Sequence, residues 1–477
     1  MGVPNPNPNP IAKQTGPAHP EESQSGLTGA FQRYRQAISE QQVEQILEGW
    51  SAFSREGPLT GWVVIWLMIF QRLHAKGTLS VAVRELLTGP VQAHVRWSDG
   101  KTDPLSANTS AYSQARSRLP LEVAEKVSDL MFESLWEQPK TLPGLDQPMF
   151  LLDGSSILLA HSKDLVQAYP PARNQHGASH WPVLRIVTAH DVVSALAVRP
   201  CWGPMDGAEA VSEQGLAKVI IGRLPAGCGV LGDRNFGVFS MAYTTSQHHH
   251  PCLFRLTEAR AGKLNGGVAP CSGTDKQIRW IPTREDRRSN PEIPAQAYVE
   301  GRLLTFKIRG KGGKWQKLYI FTTLDLPAQE ILRLYGCRWN IETDLRSLKR
   351  EVRLHMLEAK SRAMVDKELV LGFAAYNLTR ATMNQAAAAL DLDPRRLSFS
   401  QAQDTINAFL PLFAKATSEP EREAIMQEML RVFGYSKLPH RRKKRSAPRQ
   451  IWPRPCSFPK RKVGKKQKTT KATKGIA

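Results

Sequence analysis

Four apolar residues in a row, Met149-Phe150-Leu151-Leu152, run directly into Asp153, and a second run, Val230-Leu231-Gly232, runs into Asp233. A continuous apolar stretch this short marks a strand buried on both faces. Cover on both sides means layers of helix around a sheet. Further strand-like segments are Val183 to Thr188, Ala195 to Val198, Gly229 to Leu231 and Cys252 to Leu256. Leu303 to Ile308 and Leu318 to Thr323 flank Gly310-Lys311-Gly312-Gly313, a hairpin signature.

Helical periodicity surrounds these strands. It is carried before them by Val43-Ile46-Leu47, Trp62 to Leu73, Val81-Val83-Leu86-Leu87 and Val123-Val127-Leu130-Met131. It resumes from Ala328 to about Ala387 and again from Gln401 to Val432. The nine apolar residues Trp62 to Phe70 are too few to span a bilayer and read as a buried helix. The pattern is an α/β core holding an inserted β segment, with helical regions on either side.

Charge narrows the partners. The 477 residues carry Lys plus Arg 65 against Asp plus Glu 43, a net charge of +22. Such an excess points to a polyanion, most often nucleic acid. Arg441 to Ala477 contributes 15 of these cations and no acid, so the body is only mildly basic. Six cysteines, Cys201, Cys228, Cys252, Cys271, Cys337 and Cys456, include no C-x-x-C pair, which argues against a disulfide framework or a zinc ribbon. The start, Met1-Gly2-Val3 followed by an Asn-Pro repeat, lacks the basic and apolar regions of a secretory signal.

The densest chemistry lies between Leu334 and Lys349. Tyr335, Arg338, Glu342 and Lys349 are spaced so that, at about 100° per residue, all four project within about 60° of each other on one helix face. Ile341, Leu345 and Leu348 form an adjoining face that packs inward. A carboxylate in a row with two cations and a phenol suits a metal ligand flanked by phosphate contacts. By spacing alone it equally suits an exposed salt-bridged face, because Arg338 and Glu342 are an ordinary i,i+4 pair. Asp153 and Asp233 are likewise either paired site acids or residues of strand-exit turns.

Tyr335, Arg338, Glu342 and Lys349 fill the pattern Y-x2-R-x3-E-x6-K, which resembles the signature of the insertion-sequence family-four DDE transposases. Leu151-Leu152-Asp153-Gly154-Ser155-Ser156 looks like the first-aspartate strand of that family, and Gly232-Asp233-Arg234-Asn235-Phe236-Gly237 like its second-aspartate motif. The family's usual glycine between Arg and Phe is Asn235 here. The separations, 80 residues from Asp153 to Asp233 and 109 from Asp233 to Glu342, leave room in the second gap for the β-strand insertion such proteins carry.

The resemblance, over about residues 80–460, implies a ribonuclease-H-like mixed-sheet core interrupted by a β-strand insertion, with helical N-terminal and C-terminal regions. It implies that Asp153, Asp233 and Glu342 hold two Mg²⁺ or Mn²⁺ ions for cleavage and strand transfer. Tyr335, Arg338 and Lys349 become DNA contacts, with Arg234 and Arg255 as further phosphate ligands. Double-stranded DNA, both transposon ends and target, is the implied partner of a homodimer. No membrane or nucleotide cofactor is expected, and the implied setting is the bacterial cytoplasm at the nucleoid. The alternatives are a catalytically silent DNA-binding protein and a ribonuclease-H-fold nuclease without strand transfer.

The expected organisation is a disordered N-terminus over 1–28, a helical DNA-binding domain over 29–142, and the core over 143–256 and 318–385. A β-rich insertion over 257–317 interrupts that core; a C-terminal helical region over 386–436 and a disordered basic tail over 437–477 follow. Trp315, beside the Gly-rich turn, is a candidate for stacking an extruded base, or else a hairpin tryptophan packing on the sheet. Trp280 and Trp339 are further candidates. His248-His249-His250 reads as a loop in preference to a chelator, and His176 and His180 with Arg173 and Arg185 as a basic stretch able to face DNA. Gly310-x-Gly312-Gly313 is a turn and no nucleotide loop, for no helix with Lys-Ser/Thr follows it. Arg441-Arg442-Lys443-Lys444-Arg445 fits a nuclear import signal or a nonspecific DNA arm.

Overall fold

The computed structural model describes residues 30–50, 57–74, 76–95, 106–174, 177–309, 314–355 and 357–438. The basic run from Arg441, His176 and the turn 310–313 lie outside the described residues.

Six helices come first: α1 (Ala30–Ala37), α2 (Glu40–Ile46), α3 (Gly61–Leu73), α4 (Leu79–Thr88), α5 (Ser110–Arg118) and α6 (Leu121–Leu135). Helix α3 is the expected apolar segment, and all 13 of its residues are buried. A helix apolar on every side is stable only when surrounded. Its polar tips are satisfied locally. Thr60 accepts the Val63 N–H at its start, Trp62 Nε1 donates to the Ile38 carbonyl at 3.0 Å, and Trp66 Nε1 donates to Glu85 at 3.0 Å. No helix among the described residues is long and apolar enough to cross a membrane.

The middle of the chain alternates strands and short helices: β1 (Met149–Leu158), α7 (Lys163–Ala168), β2 (Arg173–Asn174), β3 (Gly177–Ala178), β4 (Val183–Asp191), β5 (Cys201–Pro204), α8 (Glu213–Ile221), β6 (Gly229–Gly232), α9 (Phe239–Gln247) and β7 (Cys252–Leu256). It continues with α10 (Glu258–Leu264), β8 (Asp275–Trp280), α11 (Arg284–Ser289), β9 (Val299–Arg309) and β10 (Trp315–Thr322). Apart from the small β2–β3 ribbon, these strands form one eight-stranded sheet in the order β5-β4-β1-β6-β7-β10-β9-β8. The central pairs β1–β6 and β6–β7 are parallel and the rest antiparallel. The strands of the expected insertion, β8 and β9, extend this same sheet beyond β7 and β10. Ala195 to Val198 is no strand: it contributes only an isolated bridge, His190 to Ala197.

The last elements are α12 (Ala328–Gly336), α13 (Asn340–Arg346), α14 (Arg362–Ala389), α15 (Phe399–Lys415) and α16 (Glu419–Tyr435). Helix α14, 28 residues long, is the axis of a helical body that joins the first and last described helices in one hydrophobic core. Val64, Leu67 and Val127 from the first six helices share that core with Leu371, Tyr376, Ile406 and Phe433. Glu368 clamps the two sets together, receiving Arg72 at 2.6 Å and Arg116 at 2.5 Å. The whole is a mixed sheet covered by helices, the ribonuclease-H-like arrangement expected.

Candidate active site

Alternation along the central strands decides what shares a face. Phe150, Leu152, Val230 and Phe254 point into a core with Leu216, Ile220 and Phe239 of α8 and α9. Met149, Leu151, Leu231 and Leu253 point the opposite way, against Ile331, Leu334, Tyr335 and Ile341 of α12 and α13. The next residues of that second phase are Asp153, Asp233 and Arg255. Leu151 is registered with Leu231 across the parallel β1–β6 pair, so Asp153 within β1 and Asp233, the first residue past the end of β6, each lie two residues further along that face. The strand does not end at the first acid, however. It runs to Leu158, with Asp153 opposite Thr188, so the turn reading of Asp-Gly-Ser is excluded there.

The helix facing this pair is not a uniform α-helix. From α12 the chain tightens into a 3₁₀ turn over Cys337–Trp339, relaxes into α13 and widens into a π-turn over Ser347–Glu351. Backbone angles stay right-handed at Gly336, Asn340 and Ser347, so the path is continuous while its winding changes. Tyr335, Arg338, Glu342 and Lys349 thus stand on four segments of three different windings, and one constant angle per residue does not describe their common face. The winding still carries them to one neighbourhood. Ile341 is buried behind Glu342, and α13 packs on β1.

Electrostatics tie the neighbourhood together. Burial pushes the Asp153 carboxyl up to about 6; the Gly154 N–H, donating to Oδ1 at 2.8 Å, opposes this, Asp233 adds to it, and Arg338 opposes it in turn. Arg338 also pairs with Glu342 at 3.6 Å and lies over the exposed Trp339 ring at 4.3 Å. Half-buried Lys349 has its pKa lowered by burial, with the Asp153 charge pulling the other way. Tyr335 is buried, which raises its phenol, while the guanidinium groups of Arg338 and Arg255 lower it. Arg255 therefore belongs to the same cluster.

Other candidates fall elsewhere. Arg234 is exposed beside Asp233, and its carbonyl accepts from Arg260 at 3.5 Å. Trp315 is 56% exposed at the start of β10, with Lys307 and Arg309 each 5.0 Å from its ring. Both cations belong to β9, the strand paired with β10, so the half-exposed ring lies against its own sheet. Trp280 is buried against Phe321 and Phe239 in the core. Arg185 donates to the Val211 carbonyl at 2.6 Å, a contact within the fold, and His180 stacks on His161 at 4.2 Å. Sequence reasoning passed over three polar groups near the acids: Glu213 at the head of α8, the side chain of Asn235, and wholly buried Asp344. Glu213 and Asp344 are no part of the recognised pattern and Asn235 enters it only as a departure from glycine, so their distant partners are what reveal these roles.

Two neighbouring carboxylates, one of them held against its charge by burial, make a hard-oxygen donor set suited to a divalent cation. Glu342, with its side chain 53% exposed and paired to Arg338 at 3.6 Å, is free enough to join them. As the chain stands, no three His, Cys, Asp or Glu side chains among the described residues are grouped closely enough to hold an ion.

A helix-covered mixed sheet with one acid on a central strand and another just past its neighbour is a ribonuclease-H-like arrangement. Residues 147–378 match the family model described as the transposase DDE domain. The chain is also 24% identical over 363 residues to the transposase InsG for insertion sequence element IS4 of Escherichia coli strain K12, covering 73% of this chain and 78% of that protein. Residues 147–378 are thus a transposase DDE domain, and the chain as a whole resembles a transposase of insertion-sequence family four.

Proposed function

We propose that this transposase binds the terminal inverted repeats of its element and carries out metal-dependent strand cleavage and strand transfer. Asp153, Asp233 and Glu342 are the acids that hold two Mg²⁺ or Mn²⁺ ions. When bound, such ions activate a water or 3′-hydroxyl and stabilise the leaving oxygen. The carrying observation is the shared face of Asp153 and Asp233, continued by Arg255 and covered by the segment bearing Tyr335, Arg338 and Glu342.

The chain's own residues have distinct tasks in this reading. Arg338, Arg255 and Lys349 neutralise phosphate oxygens beside the acids, and the Tyr335 phenol orients between the two guanidinium groups. Arg338 exchanges its loose pair with Glu342 for a phosphate, which frees that carboxylate for an ion. Arg234 meets the backbone from the exposed turn. Exposed Trp315, flanked by Lys307 and Arg309, offers an indole face to an unstacked base. The first helices read the end sequence, two chains hold two ends as a homodimer, and the tail after 437 lends nonspecific affinity for DNA at the nucleoid.

Incubation of the protein with end-bearing duplex DNA and Mg²⁺ tests this. Joined products support the reading; nicks without joining favour a nuclease, and binding without nicks favours a silent DNA-binding protein. Asp153→Ala and Glu342→Ala should each abolish nicking while leaving end binding measurable. Cleavage retained by either variant assigns the wrong acids.

A further inference from the structure

Between Gly154 on β1 and the Asp233 turn after β6 lies a set of contacts the proposed chemistry does not use. Glu213, first residue of α8, rests on Gly154: a β-carbon at 154 would stand 2.5 Å from the Glu213 carboxyl carbon and 2.6 Å from its Oε1. Glu213 Oε2 accepts from Asn235 Nδ2 at 2.5 Å. The Asn235 N–H donates in turn to Asp233 Oδ1 at 2.7 Å, and the Asn235 carbonyl accepts from Gln214 Nε2 at 2.9 Å. The first turn of α8 thus grips the Asp233 turn at two points while leaning on the residue that follows Asp153.

The three side chains fit one another. A β-carbon at 154 would push the glutamate out of this position, and only a side chain that donates at 235 can bond to it there. A glycine at 235, usual in the resembling motif, has no side-chain amide to offer Glu213. The contact also has work to do, since Asp153 and Asp233 repel each other and nothing in the parallel β1–β6 pair holds the turn beyond Gly232.

We propose that Glu213 is a positioning residue, which acts through Asn235 and the backbone at Gly154 to hold the Asp233 carboxylate at a set distance from that of Asp153. The proposal rests on the reading of those two aspartates as ion ligands. Glu213 itself touches no substrate in this account; it fixes where one ligand stands relative to the other.

Calorimetric titration of the full chain with Mn²⁺, without DNA, tests it independently of activity. Glu213→Ala should weaken Mn²⁺ binding about tenfold, the usual order for loss of a group that orients a ligand. Asn235→Ala should do the same, and the double variant should be no weaker than either single one, because both remove one contact. Glu213→Gln, whose amide oxygen still accepts from Asn235, should stay within about threefold of the parent. An unchanged Mn²⁺ affinity in Glu213→Ala overturns the proposal, as does a double variant showing the product of the single losses. Equal failure of the Gln and Ala variants also overturns it, for the charge and not the hydrogen bond would then matter. If the parent chain binds no Mn²⁺, the reading of the acids fails instead. The contact is then judged by urea midpoints of the same four proteins, where additive shifts overturn it and non-additive ones sustain it.

Discussion

Asp344, wholly buried on α13, accepts a 2.9 Å hydrogen bond from Arg380 of α14. Arg395 approaches the same carboxylate at 3.2 and 3.1 Å and donates also to the carbonyls of Asp191 and Val192 at 3.0 and 2.6 Å. Two residues after Glu342, this acid anchors α13 to the end of β4 and to the axis of the helical body. Glu342 can stay exposed and free to move only because the opposite side of its helix is fixed. Asp344→Ala leaves the buried Arg380 and the partly buried Arg395 guanidinium without their counter-charge, and loss of one partner in such a group costs about 3–5 kcal/mol. Urea unfolding should show a fall of that order, and a change below about 1 kcal/mol would mean that Arg380 and Arg395 find other partners.

What could be read beforehand follows from range. β1, β6 and α3 were legible because burial on all sides writes itself as an unbroken apolar run. The β9–β10 hairpin was legible from its strands and glycines. Helices α8 and α9 were not: α9 is rich in Thr and Ser, and its helical state is set by packing on the sheet. β8, Asp275–Trp280, is a mostly exposed edge strand with no apolar alternation to betray it. In the site, the four-residue pattern was visible within one segment. Asp344 with Arg395, 51 residues apart, and Glu213 with Asn235, 22 apart, were invisible, since their meaning lies in pairings that only the fold creates.

Burial of Asp153 makes stability depend on pH in a stated direction. Its carboxyl titrates at about 6 in the folded chain against an ordinary 3.8, so the folded state holds the proton more tightly than the unfolded state. This contribution is complete below about pH 4, declines as pH rises towards 6, and is absent above it. Asp153→Asn should therefore be more stable than the parent at pH 8 in EDTA, by about 1–3 kcal/mol for a half-buried group. The gain should shrink towards zero near pH 4. Urea midpoints across that range check it, and an equal gain at every pH would assign the effect to something other than this charge.

Lys349, held near Asp153 by the π-turn, is expected to make one phosphate contact. Lys349→Ala should weaken end binding at low salt, and the slope of log affinity against log salt should become shallower by about 1. Fluorescence anisotropy at several salt concentrations separates this from misfolding, which would lower the bound fraction without altering the slope. An unchanged slope would confine Lys349 to balancing Asp153.

Glu85 supplies a second titration, away from the site. Buried on α4, it accepts the Trp66 indole N–H, and burial pushes its carboxyl up to about 7, with that hydrogen bond working against the shift. The sign is the same as for Asp153: stability is complete below the ordinary value of 4.5 and is lost as pH rises through 7. Glu85→Gln keeps an oxygen for the indole and removes the charge. It should gain about 1–3 kcal/mol over the parent at pH 8 and little at pH 5. Because Glu85 and Asp153 sit in different elements without shared partners, Glu85→Gln combined with Asp153→Asn should show the sum of the two gains at pH 8. A combined gain well short of that sum would mean that the helical body and the sheet are coupled in the protonation of these two acids.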